Sequence, residues 1–151
     1  MQVLISKVEG IEFESIKWKM LNSDNCRLSE EEVDVAIHEY KRFLELRIKY
    51  PSISFAPTSL MDEVWHFHII DTRKYRKDCE ILFGKFLHHS PSYGPYDSKE
   101  KKDSLLQSSM NLKKLYVGEF NQSPIGLSLS CSGCSGDGSA CTGVSCCSGC
   151  E

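Results

Sequence analysis

Residues 29–51 leave the chain little choice of conformation. Val33, Ile37, Tyr40, Leu44 and Ile48 recur at spacings of three and four, with Val35, Phe43 and Leu46 on the flanks. That is the apolar stripe of an amphipathic helix. Ser29 followed by Glu32 forms a capping box, and Glu30 and Glu31 suit the positive end of the helix dipole. Pro51 ends the helix near Tyr50, because the residue before a proline avoids the helical region.

Similar punctuation recurs on both sides. Phe13, Ile16, Met20 and Leu21 fit a short amphipathic helix, and residues 22–25 form a turn. Ser59 with Asp62 reads as a second capping box, opening one long helix that stops near Gly84. Residues 87–97 hold two prolines and a glycine and read as a loop. Asp97 with Glu100 offers a third cap, before Leu105, Leu106, Leu112, Leu115 and Tyr116 supply the buried stripe of a last helix closed by Gly118. Apart from residues 3–5, no strand pattern is evident. The expected fold is all-α, a small bundle of about four helices followed by a disordered Cys-rich tail.

Composition separates the tail from the body. Residues 121–151 hold six of the eight cysteines and six of the ten glycines, but only two charges, Asp137 and Glu151. Ile125, Leu127, Leu129, Ala140 and Val144 are too few to close a core. The expected division is a helical body at 1–118 and a flexible Cys/Ser/Gly tail at 119–151. A formal charge of −3 favours neither nucleic acid nor an anionic membrane as partner. No apolar run suits a secretory signal or a bilayer span. A cytoplasmic location is expected, where thiols stay reduced or bind metal; a protein partner and the oligomeric state are left open.

Chemistry concentrates in residues 59–91, which carry four of the five histidines and one of the two tryptophans. On one continuous helix Leu60, Val64, Phe67, Asp71, Tyr75, Asp78 and Leu82 share a side, with Met61, His68 and Cys79 at its edge. Asp71 would then be a carboxylate on an apolar stripe, and it needs a partner there. The candidates are His68 or Tyr75, either ordering the core or forming a ligand or acid–base pair. His66 points about 200° from His68 on a helix, so the two cannot share one ion. On its own face it has Asp62 and Glu63, which with Arg73 also suit a solvated surface. Glu-x-x-His is the repeated unit of di-metal bundles, but its second copy is missing here, with Asp34 and His38 a distant analogue. His88 and His89 follow the turn at Gly84 and can fold back toward the helix. Helix ligands plus a loop histidine suit zinc or iron. Trp65 and Phe83 read as packing.

These residues also carry a resemblance. Pro57, Ser59, the run Asp62-Glu63-Val64-Trp65-His66-x-His68-Ile69, Asp71-Thr72, Tyr75, Cys79, Phe83-Gly84 and His88-His89-x-Pro91 are similar to the signature of the glycine-rich domain-containing protein family. Glu39-Tyr40-x-x-Phe43-Leu44 upstream resembles the same pattern. The likeness spans residues 28–92, and members of that family often end in a glycine-rich, sometimes cysteine-containing tail. It implies a small helical domain and assigns no catalytic residue.

The tail thiols run Cys131-x2-Cys134-x6-Cys141-x4-Cys146-Cys147-x2-Cys150. The outer pairs Cys131, Cys134, Cys147 and Cys150 approach a zinc-ribbon spacing and suit zinc or copper(I). Any order in this tail would have to be nucleated by the ion.

The expected function is transition-metal binding, in metal handling or as a non-catalytic module. The ligands expected in the body are His66, His68, His88 and His89, assisted by Asp62 or Asp71. Three alternatives stand beside it. One is a mononuclear His/carboxylate metalloenzyme with a pocket around His68 and Asp71. The second is a precursor whose Cys/Ser-rich tail is modified, and the third is a protein-interaction domain.

Overall fold

A computed structural model describes residues 6–90 and 99–126. The tail thiols Cys131, Cys134, Cys147 and Cys150, the cap at Asp97 and residues 3–5 lie outside the described residues. The all-α fold is the one the sequence implies, with six helices and no strand among those residues. They are α1 (Ser6–Glu9), α2 (Glu14–Leu21), α3 (Glu30–Lys49), α4 (Ser59–Ile70), α5 (Thr72–Phe83) and α6 (Lys99–Phe120). None is long and apolar enough to cross a membrane.

α3 is the axis of the molecule, packing against α1, α2, α4 and α6. Its ends form as the sequence requires. Ser29 accepts from the Glu32 amide while the Glu32 carboxylate accepts from the Ser29 amide, and the helix stops at Lys49 before Tyr50 and Pro51. Val33, Ile37, Tyr40 and Leu44 are buried, as are Phe43 and Leu46, whereas Val35 is exposed. Aromatic rings knit α3 to its neighbours: Phe43 lies edge-on to Phe55 at 5.6 Å and tilted against Trp65 at 5.2 Å.

Two boundaries differ from expectation. α4 is capped by Thr58 rather than Ser59: Thr58 Oγ1 accepts from the Met61 amide, and the Met61 sulfur accepts from the Thr58 amide. Asp62 is thereby released from any capping role. The long helix is also broken at Asp71, whose backbone leaves the helical region at φ −82°, ψ 77° and whose carboxylate caps α5 through the Lys74 amide. Asp71 is therefore not a buried carboxylate on an apolar stripe. Short polar side chains favour caps over helix interiors because they hydrogen-bond local amides. At the other end, Gly84 closes α5 in the left-handed conformation, φ 68°, which a residue without Cβ adopts readily.

α6 buries Leu112 and Tyr116 and half-buries Leu115, but Leu105 and Leu106 are exposed, contrary to the expected stripe. Its C-terminal half meets α3, whereas Leu105 borders the cavity described below. The helix runs on to Phe120, past Gly118, and residues 119–125 are fastened to α3. Glu119 pairs with Lys49 at 2.7 Å, Gln122 accepts from Arg42 at 3.1 Å, and the Ile125 amide donates to Glu39 at 3.1 Å.

Candidate metal centre

The first two turns of α4 and the segment after α5 meet at one point. Asp62 and His66 lie one helical turn apart and so share a face. The chain then passes through α5, turns at Gly84 and returns His89 to that face. His89 Nε2 lies 2.9 Å from His66 Nε2 and 2.8 Å from Asp62 Oδ1, and His66 Nε2 lies 3.6 Å from Asp62 Oδ2. The three side chains can each turn a ligand atom to within 4.8 Å of the others. They border an open cavity of about 380 Å³ whose remaining walls are Ala56, Pro57, Thr58, Ser59, Ser90 and Leu105.

His89 is held by what surrounds it. Its ring stacks on Trp65 with centroids 4.1 Å apart and planes 17° from parallel. The Trp65 indole N–H donates to the Tyr75 hydroxyl at 2.9 Å, and that hydroxyl donates to the Leu87 carbonyl, two residues before His89. A buried tryptophan thus spends its one polar atom tying the returning segment to α4. Burial, the largest influence on the His89 imidazole, pushes its pKa below the ordinary value, opposed by Asp62. This favours the neutral ring, the form that ligates metal.

The donor set suits a transition metal. With bonds of 2.0–2.1 Å, ligand atoms around a tetrahedral ion stand about 3.3 Å apart, close to the separations here. His89 Nε2 also has one in-plane valence, for which two neighbours compete at 2.8 and 2.9 Å. A proton there serves one of them; a cation between the three serves all.

His68 belongs elsewhere. It is 1% exposed, with Nδ1 2.9 Å from the Tyr40 hydroxyl and Nε2 2.8 Å from Asp78 Oδ2. A carboxylate only accepts, so Nε2 carries the proton and Tyr40 donates to Nδ1. Lys74 Nζ reaches the same Asp78 oxygen at 3.0 Å. The core around it is filled: Phe13, Tyr40 and Tyr75 all approach the ring edge-on. The cavity an enzyme would need at His68 and Asp71 is not there; the hollow touching Asp71 is lined by α2 residues and Phe67. His88 is exposed and rests against Phe86, since neighbouring residues of an extended segment point opposite ways. Of the six body residues expected to bind metal, the structure gathers Asp62, His66 and His89 and separates His68, His88 and Asp71. Asp34 is engaged by Lys17 at 2.8 Å, so it offers no second half to a di-metal site.

Sequence reasoning missed the part played by Trp65 and Tyr75. They stand ten positions apart, out of register on a continuous helix, and meet because the chain bends at Asp71. The readable signal was Asp71 itself, a good N-cap residue inside an apolar pattern.

A small all-α protein with a His/carboxylate cluster at the start of one helix is the class these features define. Residues 5–114 match the family model described as UCP032817-like, and the chain belongs to that family, which is uncharacterised. This corrects the resemblance to glycine-rich domain-containing proteins: the residues that suggested it, 28–92, lie within the UCP032817-like match, and nothing indicates the other family. Searches of curated proteins and of solved structures returned no match.

Proposed function

We propose that this protein binds one transition-metal ion in its helical body through Asp62, His66 and His89, acting in metal handling or as a non-catalytic module. The observation that carries this reading is the approach of two imidazole nitrogens and a carboxylate oxygen to within 2.9 Å of a shared atom, His89 Nε2. Two nitrogens and one oxygen suit Zn²⁺ or Fe²⁺. The side open to the cavity leaves a coordination position for a further ligand. A three-ligand site with an open position is also what a mononuclear metalloenzyme uses to activate water, and the cavity beside the cluster favours that as the second reading. The tail thiols Cys131, Cys134, Cys147 and Cys150 form a softer set, suited to Zn²⁺ or Cu⁺.

The test is metal content by mass spectrometry on the full chain with its six tail cysteines changed to serine. One equivalent of zinc or iron is expected, lost on adding His66→Ala and His89→Ala, while His88→Ala leaves it in place. A serine-tail protein that purifies without metal and takes up neither ion refutes the reading. Slow turnover of an activated ester that requires both His66 and the metal supports the enzyme.

A further inference from the structure

The open position of the site and the point where the tail begins lie close together. Residues 121–126 do not trail away from α6. Arg42 holds Gln122, and the carboxylate of Glu39, 1% exposed and also accepting from Tyr116 at 2.6 Å, holds the Ile125 amide. Gly126 then turns with φ 78°, against the first residues of α4. A Cβ placed on Gly126 would stand 3.5 Å from Leu60 Cγ and 3.7 Å from Ser59 Oγ. Ser59 is a wall of the cavity that holds Asp62, His66 and His89, and Asp62 is one turn further along the same helix. Two side chains of α3 therefore deliver the start of the tail to the rim of the site.

Reach is sufficient. Cys131 is five residues beyond Gly126, and five extended residues span up to about 17 Å. Ser59 to Asp62 covers about 4.5 Å of helix axis. Charge fits too: with Asp62 as carboxylate, one thiolate neutralises a divalent ion, and it brings three body ligands to the four of a closed tetrahedral site.

We propose that a thiolate of the Cys131-x2-Cys134 pair is the fourth ligand, so that the metal fastens the tail to the body and the pair does not join Cys147 and Cys150 in a separate sulfur site. This rests on the body site proposed above. On metal uptake the thiol loses its proton to solvent and no electron is transferred.

The experiment adds one equivalent of Co²⁺ to the reduced full chain and follows its absorption. Thiolate-to-cobalt charge transfer in the near ultraviolet is expected together with tetrahedral d–d bands. Cys131→Ser with Cys134→Ser should keep cobalt, bound at least about tenfold more weakly, and lose the charge-transfer band. Cys147→Ser with Cys150→Ser should keep the band. His66→Ala with His89→Ala should lose it. Charge transfer that survives the histidine changes, or that depends on Cys147 and Cys150, overturns the proposal because the tail then makes its own site. Cobalt bound through His66 and His89 without any charge transfer overturns it while leaving the body site standing. Absence of histidine-dependent cobalt binding overturns the body site itself.

Discussion

Trp65 lies flat against His89, ring centroids 4.1 Å apart, and thereby sets the position of a loop residue from a helix. The stack depends on what lies behind it. Phe43 tilts against the far part of the indole, and the indole N–H is committed to Tyr75. The hydrogen bond from Tyr75 to the Leu87 carbonyl then fixes the backbone that carries His89. A core aromatic, a tyrosine from the next helix and a loop carbonyl thus converge on the placement of one candidate ligand.

Tyr75→Phe should expose how much that matters. The change removes one oxygen and leaves the buried Trp65 N–H and the Leu87 carbonyl without this partner. An orphaned buried polar group costs about 1–3 kcal/mol. The expected outcome is a loss of that size in urea denaturation of the metal-free protein, with Zn²⁺ affinity reduced about tenfold or more because His89 is released. Unchanged affinity in a folded variant would show that the stack holds His89 without the hydroxyl.

Asp71→Ala separates a cap from a ligand. Asp71 receives the Lys74 amide at 3.4 Å and lies apart from the cluster of Asp62, His66 and His89. Loss of an N-cap costs about 1 kcal/mol, so the denaturation midpoint should fall by that much. Metal stoichiometry should stay the same. A variant that loses its metal would return Asp71 to the ligand set.

The C-terminal edge of the body can be found by truncation. A chain ended after Gly126 keeps the Glu119, Gln122 and Ile125 contacts to α3; one ended after Gly118 loses all of them. It also loses Phe120, which packs on Tyr116 and on the Arg42 guanidinium. Buried Glu39 would be left with one donor fewer, and the shorter chain should be less stable by at least about 2 kcal/mol. Equal stability in the two truncations would show that residues 119–126 contribute nothing to the body.

How far the sequence went is visible at single residues. The helix of Val33 and Tyr40 was legible at both ends, because a capping box and a proline act locally. The failures came where local signals conflicted with tertiary structure. Ser59 and Thr58 are both good caps, and the choice between them decides whether Asp62 is a capping side chain or a ligand. Leu105 and Leu106 carry helical spacing yet have no neighbouring helix to bury them. Asp78 was placed on the right face, but its pairing with His68 requires the bend at Asp71, which periodicity on a straight helix cannot express. The convergence of His66 with His89 was anticipated as a fold-back after Gly84; which of the two adjacent histidines would arrive was not, since that depends on the extended backbone between Gly84 and His89.

The buried pair of His68 and Asp78 makes stability depend on pH in a direction that follows from burial. Desolvation is the largest influence on the His68 imidazole and lowers its pKa, against the pull of Asp78. Lys74, 3.0 Å from the same carboxylate oxygen, already balances its charge, so a neutral imidazole completes the group. In the unfolded chain histidine titrates near about 6.5. Below that value the unfolded state takes up protons that the folded state resists, so stability is full above about pH 6.5 and declines as the pH falls toward the lowered folded value. His68→Gln keeps a donor toward Asp78 and an acceptor toward Tyr40 but cannot titrate. It should cost about 1 kcal/mol at pH 7.5, the worth of a hydrogen-bond geometry degraded rather than removed. The gap to the parent should narrow as the pH is lowered to 5, with metal removed by chelator. His38 and His89 are shifted in the same direction in both proteins, so the difference between the two urea curves isolates His68. A gap that widens in acid would mean that His68 is held protonated by Asp78, with Tyr40 accepting rather than donating.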